Sequence, residues 1–287
     1  MANLKEIRSR ITSVGSTMQI TSAMKMVAAA KLKRAQDAIT RMRPYANKLT
    51  ELLENLSSSL GSADGGIYST ERELKHVLLV TITSNRGLCG GFNAYIIKSA
   101  KELINDKYKD SKVSVLSIGK KSSEHFRKND FNLTSSHDTL FNDLTFDNVA
   151  KVAEGIMEQF VAGDYDKVVL IYNQFKNAAT QVVMTEDFLP VQKDDNKEVA
   201  IGDYIFEPTK QEIVNQLIPK SLKTQLFKAI LDSHAAEHGA RMTAMHKATD
   251  NAGELKKELT LTYNKARQAA ITGEILEIVG GAEALNG

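Results

Sequence analysis

The chain has 287 residues, 42% hydrophobic and 25% charged, with four prolines and no tryptophan, which excludes a disordered polyampholyte. No apolar run approaches the roughly 18 residues of a membrane-spanning helix, the N-terminus lacks the apolar core of a signal peptide, and the single Cys89 excludes an intramolecular disulfide and fits a reducing compartment. The net charge of +2 is uneven: residues 1–60 hold ten Lys/Arg against four Asp/Glu, a basic end that suits an acidic partner or the solvated face of a long helix.

The first element is the clearest. Alternating steps of three and four from Leu4 read Leu4, Ile7, Ile11, Val14, Met18, Thr21, Lys25, Ala28, Leu32, Ala35, Ile39, Met42, Ala46, Leu49, Leu53 and Leu56. Only Thr21 and Lys25 are polar, and a 3.5-residue repeat of that length is a coiled-coil seam. Pro44 is expected to bend the helix. The middle of the chain changes period. Short β-branched runs at 76–83, 112–119 and 167–173 alternate with helical patterns at 92–106, 120–129 and 147–162, which predicts a parallel α/β sheet. Segments 180–188 and 204–206 are candidate edge strands, and the polar stretch 192–197 reads as a surface loop. From about residue 209 a second long helix begins, with a seam at Met245, Ala248, Ala252, Leu255, Leu259, Thr262, Ala266 and Ala269.

The predicted fold class is therefore α/β: a Rossmann-like α/β domain inserted between long N- and C-terminal helices that form an antiparallel coiled coil. The domains are 1–60, the N-terminal coiled-coil helix; 74–207, the α/β domain; and 209–287, the C-terminal coiled-coil helix. The second helix is the longer, so its end should overhang its partner. Segments near 32–56 should pair with the early part of the C-terminal helix.

Three places carry residue types used in chemistry. Ser84 to Asn93, with Gly87, Gly90 and Gly91, follows the first strand and precedes a helix, where α/β proteins hold phosphates. Its order is neither G-x-G-x-x-G nor a P-loop, so a tight strand-to-helix turn is the plainer reading. Cys89 has no histidine near it in sequence to activate it as a nucleophile. His234, Glu237 and His238 match H-x-x-E-H, yet they lie in an uninterrupted helix with no implied pocket. The stretch 263–274 is dense in polar groups, among them Arg267, Gln268, Thr272 and Glu274, and suits forked hydrogen bonds to partner carboxylates.

Residues 20–32, the run Arg86, Gly87, Leu88, Cys89, Gly90, Gly91 with Asn93, and the stretches 240–245, 248–252, 259–272 and 274–279 together resemble the γ subunit of bacterial F-type ATP synthases. The resemblance spans the chain in order. It implies a central-stalk rotor shaft that couples ion-driven rotation of a membrane c-ring to ATP synthesis or hydrolysis at the catalytic sites of an α and β subunit ring. It implies no catalysis, cofactor or metal in this chain itself. By position, Met24, Lys25, Arg241, Arg267, Gln268, Thr272 and Glu274 match contacts to β subunits, and Tyr204 and Glu207 match contacts to the c-ring and the ε subunit. Asn85 departs from the aspartate usual before this glycine run. The photosynthetic regulatory segment with its cysteine pair is absent. A start without a transit-like segment favours a bacterium, hence a peripheral place on the cytoplasmic face of its cell membrane. Two rivals to the rotor reading are a nucleotide-binding enzyme and a passive coiled-coil scaffold.

Overall fold

The computed structural model describes residues 4–58, 67–191 and 210–286. Tyr204, Glu207 and the segments expected at 192–197 and 204–206 lie outside them. Two helices dominate: α1 (Leu4–Ser58, 55 residues), which continues through Pro44, and α5 (Lys210–Asn286, 77 residues). The chain divides into two compact units, Met1–Val27 with Met242–Gly287, and Ala28–Arg241.

In the first unit the helices run antiparallel. Lys256 lies against Gly15 and Met18 Sδ against Gly253. The Thr21 and Thr249 hydroxyls are 2.8 Å apart, and Lys25 Nζ is 3.3 Å from His246 Nδ1. Residue numbers rise along one helix as they fall along the other. The α1 seam is buried or half-buried at each of its positions from Leu4 to Lys25. The α5 seam needs a correction. Leu255 is 46% exposed and Thr262 is also exposed, while Lys256 and Tyr263 are half-buried. The inward positions follow Met245, Thr249, Ala252, Lys256, Leu259, Tyr263 and Ala266. The apolar Leu255 drew the sequence reading one residue off phase, whereas the half-buried Lys256 follows the seam and brings the end of its side chain, Cε and Nζ, beside Gly15. The register brings Leu4 opposite a residue near 267. From Arg267 to Glu283 every residue but Gly273 is exposed.

The second unit holds a five-stranded sheet in the order β3-β2-β1-β4-β5. Its strands are β1 (His76–Ile82), β2 (Lys112–Ile118), β3 (Leu133–Ser136), β4 (Lys167–Phe175) and β5 (Gln181–Leu189). β1 pairs in parallel with β2 and β4, β2 in parallel with β3, and β5 runs antiparallel to β4 at one edge. Helices α2 (Phe92–Glu102), α3 (Lys120–Lys128) and α4 (Phe146–Ala162) connect the strands. The sequence pattern anticipated every strand except β3, whose four residues include one apolar side chain. In the central β1, five of the six residues after His76 are wholly buried apolar side chains, the sequence signature of a strand covered on both faces. On one face Leu78, Val80 and Ile82 pack in a core with Ile156 and Phe160 of α4 and with Leu222, Leu226 and Ile230 of α5. On the other, Val77 and Leu79 meet Ile96 and Ala100 of α2 and Phe126 of α3. The early turns of α5 are thus a layer of the α/β unit, which explains why they are apolar on more than a coiled-coil seam. Gly119 ends β2 at φ +110°, and a Cβ there would lie 2.1 Å from the Thr83 carbonyl oxygen, so only glycine fits.

Candidate functional site

The polar group of residues expected near the end of α5 lies on the exposed, unpaired length. Arg267 and Glu274 are seven residues apart and share one face. Gln268 and Thr272, four apart, share the next, about 100° around. All four are exposed, and the Thr272 hydroxyl donates only to the Gln268 carbonyl of its own helix, at 2.9 Å. Beyond them Ile275, Leu276, Ile278 and Val279 are exposed by 54 to 71%. An isolated helix gains nothing by exposing such side chains. On α1, Met24 and Lys25 are half-buried. The structure adds residues the seam reading missed: exposed Ile20 and Val27 join Met24 at i, i+4 and i+7, an outward apolar stripe invisible to a search for the inward 3.5-residue series.

Arg241, expected among the contacts to β subunits, is elsewhere. It is buried, and its guanidinium is used inside the second unit. Nη2 donates to the carbonyls of Arg86 and Gly87 at 3.0 and 3.2 Å, while Nη1 binds Glu237 at 2.5 Å. This fastens α5 to the glycine run after β1. Within that run Asn93 Oδ1 accepts the Ser84 amide at 2.9 Å, the Ser84 hydroxyl donates to the Arg86 carbonyl at 2.7 Å, and Asn93 Nδ2 donates to Cys89 Sγ at 3.3 Å. Leu88 and Gly90 take φ near +60°. Burial pushes the Cys89 thiol up, so it stays protonated and a poor nucleophile. Close by, Gly239 of α5 approaches the turn after β4, where a Cβ would lie 3.1 Å from the Ala178 carbonyl oxygen. The crevice at the C-terminal ends of β1 and β4, the switch point of the sheet, is therefore lined by carbonyls and filled by α5. Phosphate binding needs N–H groups pointing the other way.

Asn85 gains a physical role. Its Nδ2 donates to the Asp138 carbonyl at 2.6 Å, and its Oδ1 accepts the Lys120 amide at the start of α3 at 2.9 Å. An aspartate accepts but does not donate when ionised, so the amide serves both ends.

His234 and His238 share a face, their Nε2 atoms 3.2 Å apart, with Phe141 stacked on His234 at 5.9 Å. Among the described residues no three His, Cys, Asp or Glu side chains are placed to hold a metal ion. A liganding histidine donates its other ring N–H to an acceptor, whereas His238 Nδ1 faces the Arg241 guanidinium at 3.4 Å. The zinc reading of this motif therefore has no support in the geometry. Burial first, then the nearby positive charges, holds His234 down to about 4; burial, then His234 and those charges, holds His238 down to about 3.

A family model described as ATP synthase matches residues 3–285. The chain is 66% identical over 288 residues to the ATP synthase gamma chain of Flavobacterium johnsoniae, covering all of both chains, and 49% identical over 300 residues to that of Chloroherpeton thalassium, covering 99% of each. Among solved structures it resembles a chain of the central stalk and c-ring of the Tetrahymena thermophila mitochondrial ATP synthase, at 30% identity and TM-score 0.60 over 80% of this chain and 99% of that one. A chain of the Euglena gracilis mitochondrial ATP synthase shares the fold at 20% identity and TM-score 0.70, over 98% and 94%. With full-length identity at this level the chain belongs to the ATP synthase gamma-chain family.

Proposed function

We propose that this chain is the central rotor shaft of a bacterial ATP synthase, coupling ion-driven rotation of a c-ring to ATP synthesis or hydrolysis at the interfaces of a ring of α and β subunits, with no catalytic step of its own. The observation that carries the proposal is the exposed length of α5 from Arg267 to Glu283, polar on two faces and then apolar at Ile275, Leu276, Ile278 and Val279. Such a helix end is stable only inside a sleeve supplied by other chains. Arg267, Gln268, Thr272 and Glu274 are the groups that meet β-subunit carboxylates and amides, with Met24, Lys25 and the Ile20 and Val27 stripe on the other helix. Tyr204 and Glu207 face the ε subunit and the c-ring. The assembly lies on the cytoplasmic face of the cell membrane, and this chain reaches the membrane only through it; no described helix is long and apolar enough to cross.

An asymmetric shaft presents a different face to each β subunit, so each catalytic site's conformational equilibrium follows the face it meets. Coupling of this kind asks for stiffness and specific side-chain contacts, not for a reacting group. The carbonyl-lined, helix-filled switch point supports the non-catalytic reading over the nucleotide-binding enzyme. Reconstitution with α, β and ε subunits and the c-ring in proteoliposomes tests the proposal. ATP-driven ion pumping should depend on this chain. Pumping without it, or micromolar ATP binding to the isolated chain by calorimetry, would overturn it.

A further inference from the structure

Arg241 directs four N–H contacts within a buried setting: two to the Arg86 and Gly87 carbonyls, one to Glu237 and one to His238 Nδ1 at 3.4 Å. A guanidinium only donates, so His238 Nδ1 must keep its lone pair and the ring proton sits on Nε2. That proton points at His234 Nε2, 3.2 Å away, which must itself be bare. The two rings hold a single proton between their Nε2 atoms, and both are neutral.

A further proton has no place in this chain of contacts. On His238 it lands on Nδ1, against the Arg241 guanidinium. On His234 it lands on Nε2, against the His238 N–H. The charges acting on the rings are Lys31 of α1 and Arg241 of α5, both positive. Beside them stand Glu237, tied to Arg241, Arg86 of the glycine run, which acts on Glu237, and the neutral Cys89 thiol. Phe141, from the turn before α4, stacks on one face of His234 and supplies no acceptor.

We propose that His234 and His238 form a proton-sensitive latch: neutral, they hold Arg241 on the carbonyls of Arg86 and Gly87, and proton uptake by the pair drives Arg241 off and frees the glycine run from α5. In the closed latch the rings resist protonation down to about 4 and about 3. Once open, each titrates near the ordinary value of about 6.5. Proton linkage then makes opening roughly tenfold more frequent per pH unit per ring as pH falls below about 6. Glu237 works against the rings, because burial raises its carboxyl in the closed latch and opening, which returns it toward the ordinary value, releases that proton. The device makes the seat of the C-terminal helix on the sheet weaker in acid.

Cys89, the only thiol and buried beside the latch, reports on it. The full-length chain is labelled with a dipyridyl disulfide, which reacts with thiols in acid, at pH values from about 7 to about 4. Rates are divided by those of the urea-unfolded chain. The corrected rate should rise by roughly tenfold or more per pH unit below about 6. The double variant His234→Leu with His238→Gln removes both titrating rings and leaves Arg241 an amide acceptor; its profile should be much flatter. Glu237 is present in both proteins, so the difference reads the imidazoles alone. Parallel profiles would overturn the latch. If the variant does not fold, hydrogen exchange of the wild-type chain decides. Residues 86–91 should gain exchange over this range while β2 does not, and uniform acceleration across the chain would overturn the proposal.

Discussion

The hydroxyls of Thr21 and Thr249 meet at 2.8 Å across the two helices, each also within reach of a carbonyl of its own helix, Met18 at 3.1 Å and Met245 at 2.8 Å. The two hydroxyls meet only in this alignment, because sliding by a turn sets Thr21 against Met245 or Ala252 and parts the pair. Thr21, the first break in the apolar series, thus acts as a register mark.

The alignment is open to cross-linking. Thr21→Cys with Thr249→Cys should oxidise to an intrachain disulfide that leaves the monomer mass unchanged on a non-reducing gel. Thr21→Cys with Lys256→Cys, displaced by about 10 Å along α5, should not. Dimers from the first pair, or equal bridging by both, would contradict the register.

Stability should fall in mild acid. Both imidazoles are depressed in the fold, to about 4 and about 3, so between about pH 6.5 and 4 the unfolded chain binds protons that the folded chain refuses. Their contribution is present above the unfolded value near 6.5 and is lost as pH drops, by on the order of 1 kcal/mol per pH unit per ring. Urea unfolding at pH 7 and pH 5 should show the loss, and His234→Leu with His238→Gln should reduce it.

Arg43 and Asp232 form an asymmetric pair. Arg43 Nη2 donates to Asp232 Oδ1 at 2.8 Å and to the Phe175 carbonyl at 2.9 Å, tying α1 to α5 and to the end of β4. The arginine side chain is 40% exposed and the aspartate fully buried, with no partner for Oδ2 among the described residues. Arg43→Ala strands a buried carboxylate and should cost about 2–4 kcal/mol. Asp232→Asn leaves an arginine that reaches water and should cost less than half as much. Denaturant midpoints compare the two, and the reverse order would show that the exposed partner dominates.

Arg267→Ala with Gln268→Ala should leave the free chain's stability within about 0.5 kcal/mol, because neither side chain is buried. In an assembled complex the same change removes a charge-assisted contact worth roughly 1.5–3 kcal/mol. Rotation-coupled ATPase or ATP synthesis should drop while the subunit's melting stays put. Wild-type coupling by the double variant would remove these residues from the proposed contact.

The sequence alone determined the parts whose signal is local and periodic. The seam from Leu4 to Leu49 is buried or half-buried at every position, because a 3.5-residue series can be buried on only one side of a helix. Strands β1, β2 and β4 were legible as short β-branched, largely apolar runs, the mark of strands covered on both faces. The exposure of Arg267 to Glu274 also followed from helix lengths alone. Tertiary structure decided the rest. β3 has too few apolar residues to announce itself, and it exists because β2 offers an unpaired edge. Lys256 displaced Leu255 from the seam because the facing residue is Gly15, which leaves room for the end of the lysine side chain. The fold turned Arg241 into a buried fastener and His234 with His238 into a neutral pair. Neither change is visible in a helix pattern. Both depend on which carbonyls the glycine run turns toward α5, a relation between residues 86 and 241 that only folding brings together.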